Sequence, residues 1–181
     1  VHEACYLQDR TGASLEEIDS AVKFKLGFPM GIFELADFTG MDVIHKATVE
    51  MHLRDKKVIN PHKKVEKMFD AKKLGQKSGE GYYKYSDDKY ERVELSEELA
   101  QKCNPIQLVA NILNNAAWLI TNGASDVDEI EKAAKLGLGL RKPLFETAKD
   151  IGIKNIVDEL NNLAQEHGEF YKPDPLLESM I

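Results

Sequence analysis

The sequence is poor in features that would tie it to several large function classes. It has only two cysteines, Cys5 and Cys103, in unrelated contexts. That argues against a disulfide framework or a thiolate zinc site and makes a reducing, cytoplasmic setting the expectation. No apolar run approaches the ~18 residues needed to span a bilayer, and no signal peptide is visible. Positive charge is not in excess: the net charge is −7, with acids and bases interspersed. Neither a nucleic-acid nor a membrane partner is therefore expected.

Other signatures are missing too. Strand alternation of useful length is confined to Tyr82–Tyr85. Gly137-Leu-Gly139 follows a helical stretch and lacks the third glycine of a dinucleotide fingerprint. The G-x-x-x-x-G-K-[ST] spacing of a phosphate loop is absent around Lys77-Ser78. The five histidines, His2, His45, His52, His62 and His167, are scattered. His45 and His52 stand seven apart but without H-E-x-x-H spacing, so surface or core roles are expected and no metal ligand or catalytic residue is assigned.

What is present is a doubled pattern. The 181 residues are 43% apolar, enough for one large or two small packed domains. Residues 18–40 repeat at 130–152 with a constant offset of 112. Nine of the 23 aligned pairs are identical, among them Gly27/Gly139, Phe33/Phe145, Glu34/Glu146 and Gly40/Gly152. Chance gives about one or two. Two related units in tandem are expected, at 1–95 and 96–181, the second a degenerate copy.

The local signals are helical throughout. Glu3–Asp9 reads as the end of a helix that already looks under way at its first residues, so a preceding segment is expected. Ser14-Leu-Glu-Glu17 is a capping box, followed by Leu15, Ile18, Val22 and Leu26 on one helical face and Gly27 as the stop. Pro29 and Gly31 suit a tight turn into a helix bearing Ile32, Leu35 and Ala36, which Gly40 ends. Asp42 is read as the cap of the next helix and Asn60-Pro61 as the start of another. Leu74–Tyr85 then holds three glycines in seven residues, which lets backbone approach something closely. It reads either as a flexible hairpin-like tail or as a lysine delivered to an anionic ligand. Residues 86–104 read as a charged, solvated joint. In the second unit, Asn104-Pro105, Asp126 and Pro143 mark helix starts. Residues 153–164 carry the cleanest 3.6-residue period, and Phe170–Leu177 forms a proline-punctuated tail. The fold class is all-α, two similar helical units packed together.

Gly27-Phe-Pro-Met-Gly-Ile-Phe-Glu-Leu-Ala-Asp37 resembles the G-x-P-M-G-P-F-E-L-x-D motif of the C-terminal domain of 3-hydroxyacyl-CoA dehydrogenase, with Ile32 in place of proline. Leu74–Tyr85 resembles that family's F-G-x-K-T-G-x-G-F-Y-x-Y, with Leu74, Ser78 and Tyr82 as departures. Phe170–Leu177 is similar to the ending of a duplicated copy of the domain. The resemblance implies the 6-phosphogluconate dehydrogenase C-terminal-like fold. It also implies part of an enzyme of fatty-acid β-oxidation that passes hydride from a 3-hydroxyacyl-CoA to NAD. It implies a preceding Rossmann domain that holds the NAD and the base, so the chain alone is expected to be inactive. Lys77 matches the family lysine that reaches toward NAD, a point charge suited to phosphate or ribose oxygens. Pro29, Met30 and Gly31 match the turn that faces the acyl chain. The copy has Arg141, Lys142 and Pro143 there and no lysine loop. Glu34 and Glu146 are read as structural glutamates bonded to backbone. An acyl-CoA substrate and a homo-oligomer complete the expectations, against the rival of a non-catalytic helical interaction module.

Overall fold

A computed structural model describes residues 1–54, 59, 61–86 and 89–181. It divides into two compact units, Val1–Lys25 with Met30–Cys103, and Leu26–Pro29 with Asn104–Ile181. The division falls at Cys103/Asn104 rather than at 95/96, and the four residues after Lys25 belong with the second unit.

The first unit is built from short helices. They are α1 (His2–Thr11), α2 (Leu15–Ser20), α3 (Ile32–Thr39), α4 (Met41–Arg54), α5 (Lys63–Asp70) and α6 (Glu97–Gln101). The Ser14–Glu17 capping box is present in both directions. The helix it starts does not stay regular to Leu26: Ala21–Lys25 winds as a wider π-helix. α4 begins at Met41, so Asp42 lies inside its first turn rather than capping it. Asn60, the expected helix start, lies outside the described residues. α5 is capped by His62, whose Nδ1 accepts the Lys64 N–H at 3.1 Å. Two strands of two residues each, β1 (Tyr85–Ser86) and β2 (Lys89–Tyr90), pair antiparallel. Leu7, Ile18, Phe33, Met41 and Val65 form the sealed centre of the unit. Each such side chain contributes roughly 1.5–3 kcal/mol through removal from water.

The second unit holds α7 (Ile106–Thr121), α8 (Val127–Gly137), α9 (Leu144–Ile151), α10 (Ile153–His167) and α11 (Pro175–Glu178). α10 packs along α7, and its stripe of Ile156, Val157, Leu160 and Leu163 is buried. The tail is tied down by Asn114 on α7. Its amide donates to the Lys172 carbonyl at 2.9 Å and its oxygen accepts the Asp174 N–H at 2.7 Å. Among the described residues the regular secondary structure is helical apart from the two short strands and isolated bridges, and no helix is long and apolar enough to cross a membrane.

One device recurs in both units. A helix start leaves backbone N–H groups without partners, and a carboxylate placed there satisfies them and the helix dipole together. At the start of α3 that carboxylate is Asp19, fully buried, which accepts the N–H groups of Phe33 at 2.8 Å and Glu34 at 3.0 Å. At the start of α9 it is Glu131, which accepts those of Leu144 at 2.7 Å and Phe145 at 2.8 Å. Asp19 and Glu131 are partners in the 112-residue offset. The extra methylene of Glu131 carries its carboxylate one residue closer to the helix start.

The matched glutamates, by contrast, have diverged. Glu34 accepts the Gly31 N–H at 2.8 Å and pairs with Arg92. Position 143 is proline and has no N–H to offer, so Glu146 is exposed and pairs with Lys142 instead.

Glu131→Ala should therefore cost about 0.5–2 kcal/mol of stability, the range for a lost helix cap. Glu146→Ala should change stability by less than about 0.5 kcal/mol. Urea titration of both variants checks the difference. Burial pushes Asp19 up to about 7, against the pull of its three hydrogen-bond donors. Because an unfolded aspartate titrates near ~3.9, the stability Asp19 contributes is whole below that pH and is lost as pH rises through about 7. The unfolding free energy of the wild type should thus decline between about pH 4 and about pH 7 more steeply than that of Asp19→Asn. Equal slopes would remove the assignment.

Candidate functional site

Of the residues singled out in the sequence, those in the first unit, Met30, Gly31 and Lys77, lie at the two ends of α3. That helix has eight residues, so its ends are separated by about 12 Å.

At the N-terminal end stands Gly31. A Cβ there would collide with the Asp19 carboxyl, so only glycine lets the turn lie against its cap. Asp19 also accepts the Tyr83 hydroxyl at 2.8 Å. Arg92 closes the cluster: it pairs with Glu34 and lies over the rings of Tyr83 and Tyr90, at 5.1 and 4.3 Å from their centroids. The charged joint is thus not wholly solvated, because Arg92 folds back onto the first unit. Met30 is half-buried and Pro29 is exposed. Within the second unit a Cβ on Gly139 would come 3.1 Å from the Pro29 ring.

At the C-terminal end the glycine loop meets Asp37. The Asp37 carboxylate accepts the N–H groups of Tyr82 and Tyr83, each at 2.8 Å, and the Tyr85 hydroxyl at 2.7 Å. Burial raises the Asp37 pKa, while these three donors hold it down. Gly75 and Gly81 sit so close to Asp37 that a Cβ on either would overlap it. What the glycines approach is therefore a side chain and backbone of this same unit. The loop is internally closed as well. Gly75 N–H donates to the Glu80 carbonyl at 2.9 Å, Tyr85 N–H to that of Gly79 at 3.0 Å, and the Ser78 hydroxyl to that of Glu80 at 2.8 Å. It is no loose tail. The tyrosines are packing anchors: Tyr83 is buried, and the Tyr82 hydroxyl lies 3.1 Å from Cys5 Sγ.

Lys77 occupies a single 3₁₀ turn, Gln76–Ser78, at the outer part of this loop. Its ammonium lies above Gly40 and pairs with Asp42, and its side chain is 45% exposed. The hydrogen bond from Lys77 holds the Asp42 carboxyl below the usual carboxylate range. Lys77 is thus an accessible cation on a fixed loop, with a counter-ion that an incoming anion could replace.

The buried acids and three of the histidines among the described residues are held by other groups. Asp19 has a pKa near neutrality, which often marks a catalytic group, but it is sealed from solvent and spent on three donors. His2 accepts the His62 N–H at 2.9 Å and lies 2.9 Å from the Thr48 hydroxyl; burial pushes it down to about 4. His62 caps α5 and lies 3.0 Å from Asp9. His45 stacks on Phe69. Sequence reading passed over Asp19 and Arg92 and gave Asp37 no role. The acid shared by positions 19 and 131 was the signal available for the first of these.

Comparison with known proteins fits this picture. The family model of the 3-hydroxyacyl-CoA dehydrogenase C-terminal domain matches residues 1–85 and 107–181. Over 85 residues, 46% of this chain, the sequence is 41% identical to hydroxyacyl-coenzyme A dehydrogenase, mitochondrial, of Rattus norvegicus. It is 40% identical over the same length to a probable 3-hydroxyacyl-CoA dehydrogenase of Caenorhabditis elegans. These matches cover 27% and 28% of the two relatives, so the chain corresponds to roughly a quarter of their length. The fold is similar to a 3-hydroxybutyryl-CoA dehydrogenase of Escherichia coli, with a TM-score of 0.76 at 21% identity, covering 98% of this chain and 56% of that one. It is also similar to the dehydrogenase part of a multifunctional enzyme of C. elegans, with a TM-score of 0.67 at 20% identity over 98% and 45% of the two chains. The cytoplasmic expectation is corrected by these relatives: those of rat, mouse and human are named mitochondrial. With its two matched segments, its all-α architecture and its clamped glycine loop, the chain belongs to the 3-hydroxyacyl-CoA dehydrogenase C-terminal domain family.

Proposed function

We propose that the chain is the substrate-side and assembly region of an NAD-dependent 3-hydroxyacyl-CoA dehydrogenase of fatty-acid β-oxidation. The observation that carries this reading is Lys77, an accessible ammonium on a loop clamped to the end of α3. Its chemistry suits a phosphate or ribose oxygen of a dinucleotide, since a lysine is a mobile point charge with three donors. When bound, NAD would supply the acceptor for the hydride leaving C3 of the 3-hydroxyacyl-CoA.

This chain's own residues bind and position. With the cofactor bound, Lys77 would exchange its partner Asp42 for one of the cofactor's oxygens. Met30, with Pro29 and Gly31 beside it, offers a wall to the acyl chain. Asp19 holds that turn from beneath, because Gly31 lies directly on its carboxyl. Removing the hydroxyl proton needs a base within hydrogen-bond reach of the substrate. Asp19, Asp37, Glu34, His2 and His62 are each held by the partners described above, and the base is assigned to polypeptide beyond this chain. The second unit, with Lys149 where Asp37 stands and no matching loop, serves packing and assembly.

The chain by itself should therefore show no reduction of acetoacetyl-CoA by NADH above the uncatalysed background. Turnover comparable to a complete dehydrogenase would refute the assignment. In the full-length enzyme, Lys77→Ala should raise the KM for NADH about tenfold, the loss of one charge-assisted hydrogen bond. An unchanged KM for NADH would favour the non-catalytic interaction module.

A further inference from the structure

We infer that Asp37 is the positioning residue for Lys77, an inference that rests on the cofactor role proposed for that lysine. Asp37 does not touch the ammonium. Instead both stems of the loop that carries Lys77 converge on it. On the entering side Gly75 lies against the Asp37 backbone, and on the leaving side Gly81 lies against its carboxyl. The two peptide N–H groups and one hydroxyl that follow Gly81 all end on its two oxygens. The Lys77 turn is thus anchored to the C-terminal end of α3 at both stems, by the Asp37 backbone at Gly75 and by the Asp37 carboxylate beyond Gly81.

The chemistry requires a carboxylate. Three donors meet two acceptor atoms, and an ionised aspartate is acceptor-only. An asparagine of the same shape would offer one oxygen and turn an NH₂ group toward a donor, leaving the peptide N–H of Tyr82 or of Tyr83 unmatched. The second unit provides an internal comparison. At the position related to Asp37 by the repeat stands Lys149, and no lysine-glycine loop follows it. α9 forms there all the same and keeps its own carboxylate cap. The short helix therefore does not need an acid at this place, and the acid stands in the unit that has the loop.

The test uses the full-length dehydrogenase with NADH and acetoacetyl-CoA, and four variants: Lys77→Ala, Asp37→Asn, the double variant and Tyr85→Phe. Asp37→Asn should raise the KM for NADH about tenfold while the KM for acetoacetyl-CoA stays within about twofold. The double variant should be no worse than Lys77→Ala, because two changes acting on one contact do not add. Should Asp37→Asn fail to fold, Tyr85→Phe decides. It removes a single donor, keeps the backbone clasp, and should raise the KM for NADH alone by about twofold to threefold. If Lys77→Ala raises the KM for NADH but Asp37→Asn, or Tyr85→Phe in its place, does not, this inference falls and the cofactor role of Lys77 stands. A parallel rise in both KM values, or additive rises in the double variant, would make Asp37 merely structural. An inert Lys77→Ala would overturn the cofactor reading and this inference together.

Discussion

A carboxylate meeting the open end of a short helix is the interaction on which the rest of this structure depends. α3 has eight residues and little helix-forming strength of its own. Its first N–H groups face the interior, where an unpaired donor is costly. Asp19 satisfies two of them and draws in the Tyr83 hydroxyl as well. Everything proposed for the first unit hangs on the two ends of this helix.

The second unit shares the device while the details around it differ. Glu131 reaches the start of α9 as Asp19 reaches the start of α3, with one more methylene and a donor pair shifted by one residue. The glutamate three residues into each helix has not kept its job. Glu34 still closes the turn through Gly31, while Pro143 removed the donor that Glu146 would have needed. Identity at a repeat position therefore hid divergence, and the Asp/Glu difference hid a shared function.

The opposite end of α3 shows the step from packing to chemistry. Asp37 uses the same physics, a carboxylate saturated by backbone and hydroxyl donors, to hold a loop rather than a helix end. The loop then presents the Lys77 ammonium, whose partner, Asp42, is itself partly accessible to solvent. A buried clasp beneath an exposed ion pair combines a fixed backbone with an exchangeable charge. Surface ion pairs are weak, which is what exchange with a ligand anion requires.

Much of the fold is legible in the residues taken in order. Ser14 with Glu17, Asp126, Pro143, and the glycines at 40, 152 and 168 mark helix ends through contacts within a few residues. The period of residues 153–164 follows directly from one buried face. The doubling is visible because the offset never slips, and the backbone-bonded Glu34 is foreseeable because its partner is three residues away. What could not be read are contacts between distant parts of the chain. Asp19 meets donors 14 and 15 residues on, Arg92 reaches Glu34 across 58, and Tyr82 and Tyr83 find Asp37 across 45 and 46. A charged residue in a polar stretch looks alike whether it ends in water or folds back onto a buried acid. By itself the sequence determined the helices, their duplication and the lysine-bearing glycine loop, because short-range periodicity and turn chemistry are encoded locally. Only the tertiary structure decided which carboxylates hold α3 and the loop, because burial and the convergence of donors exist only once the chain has closed on itself.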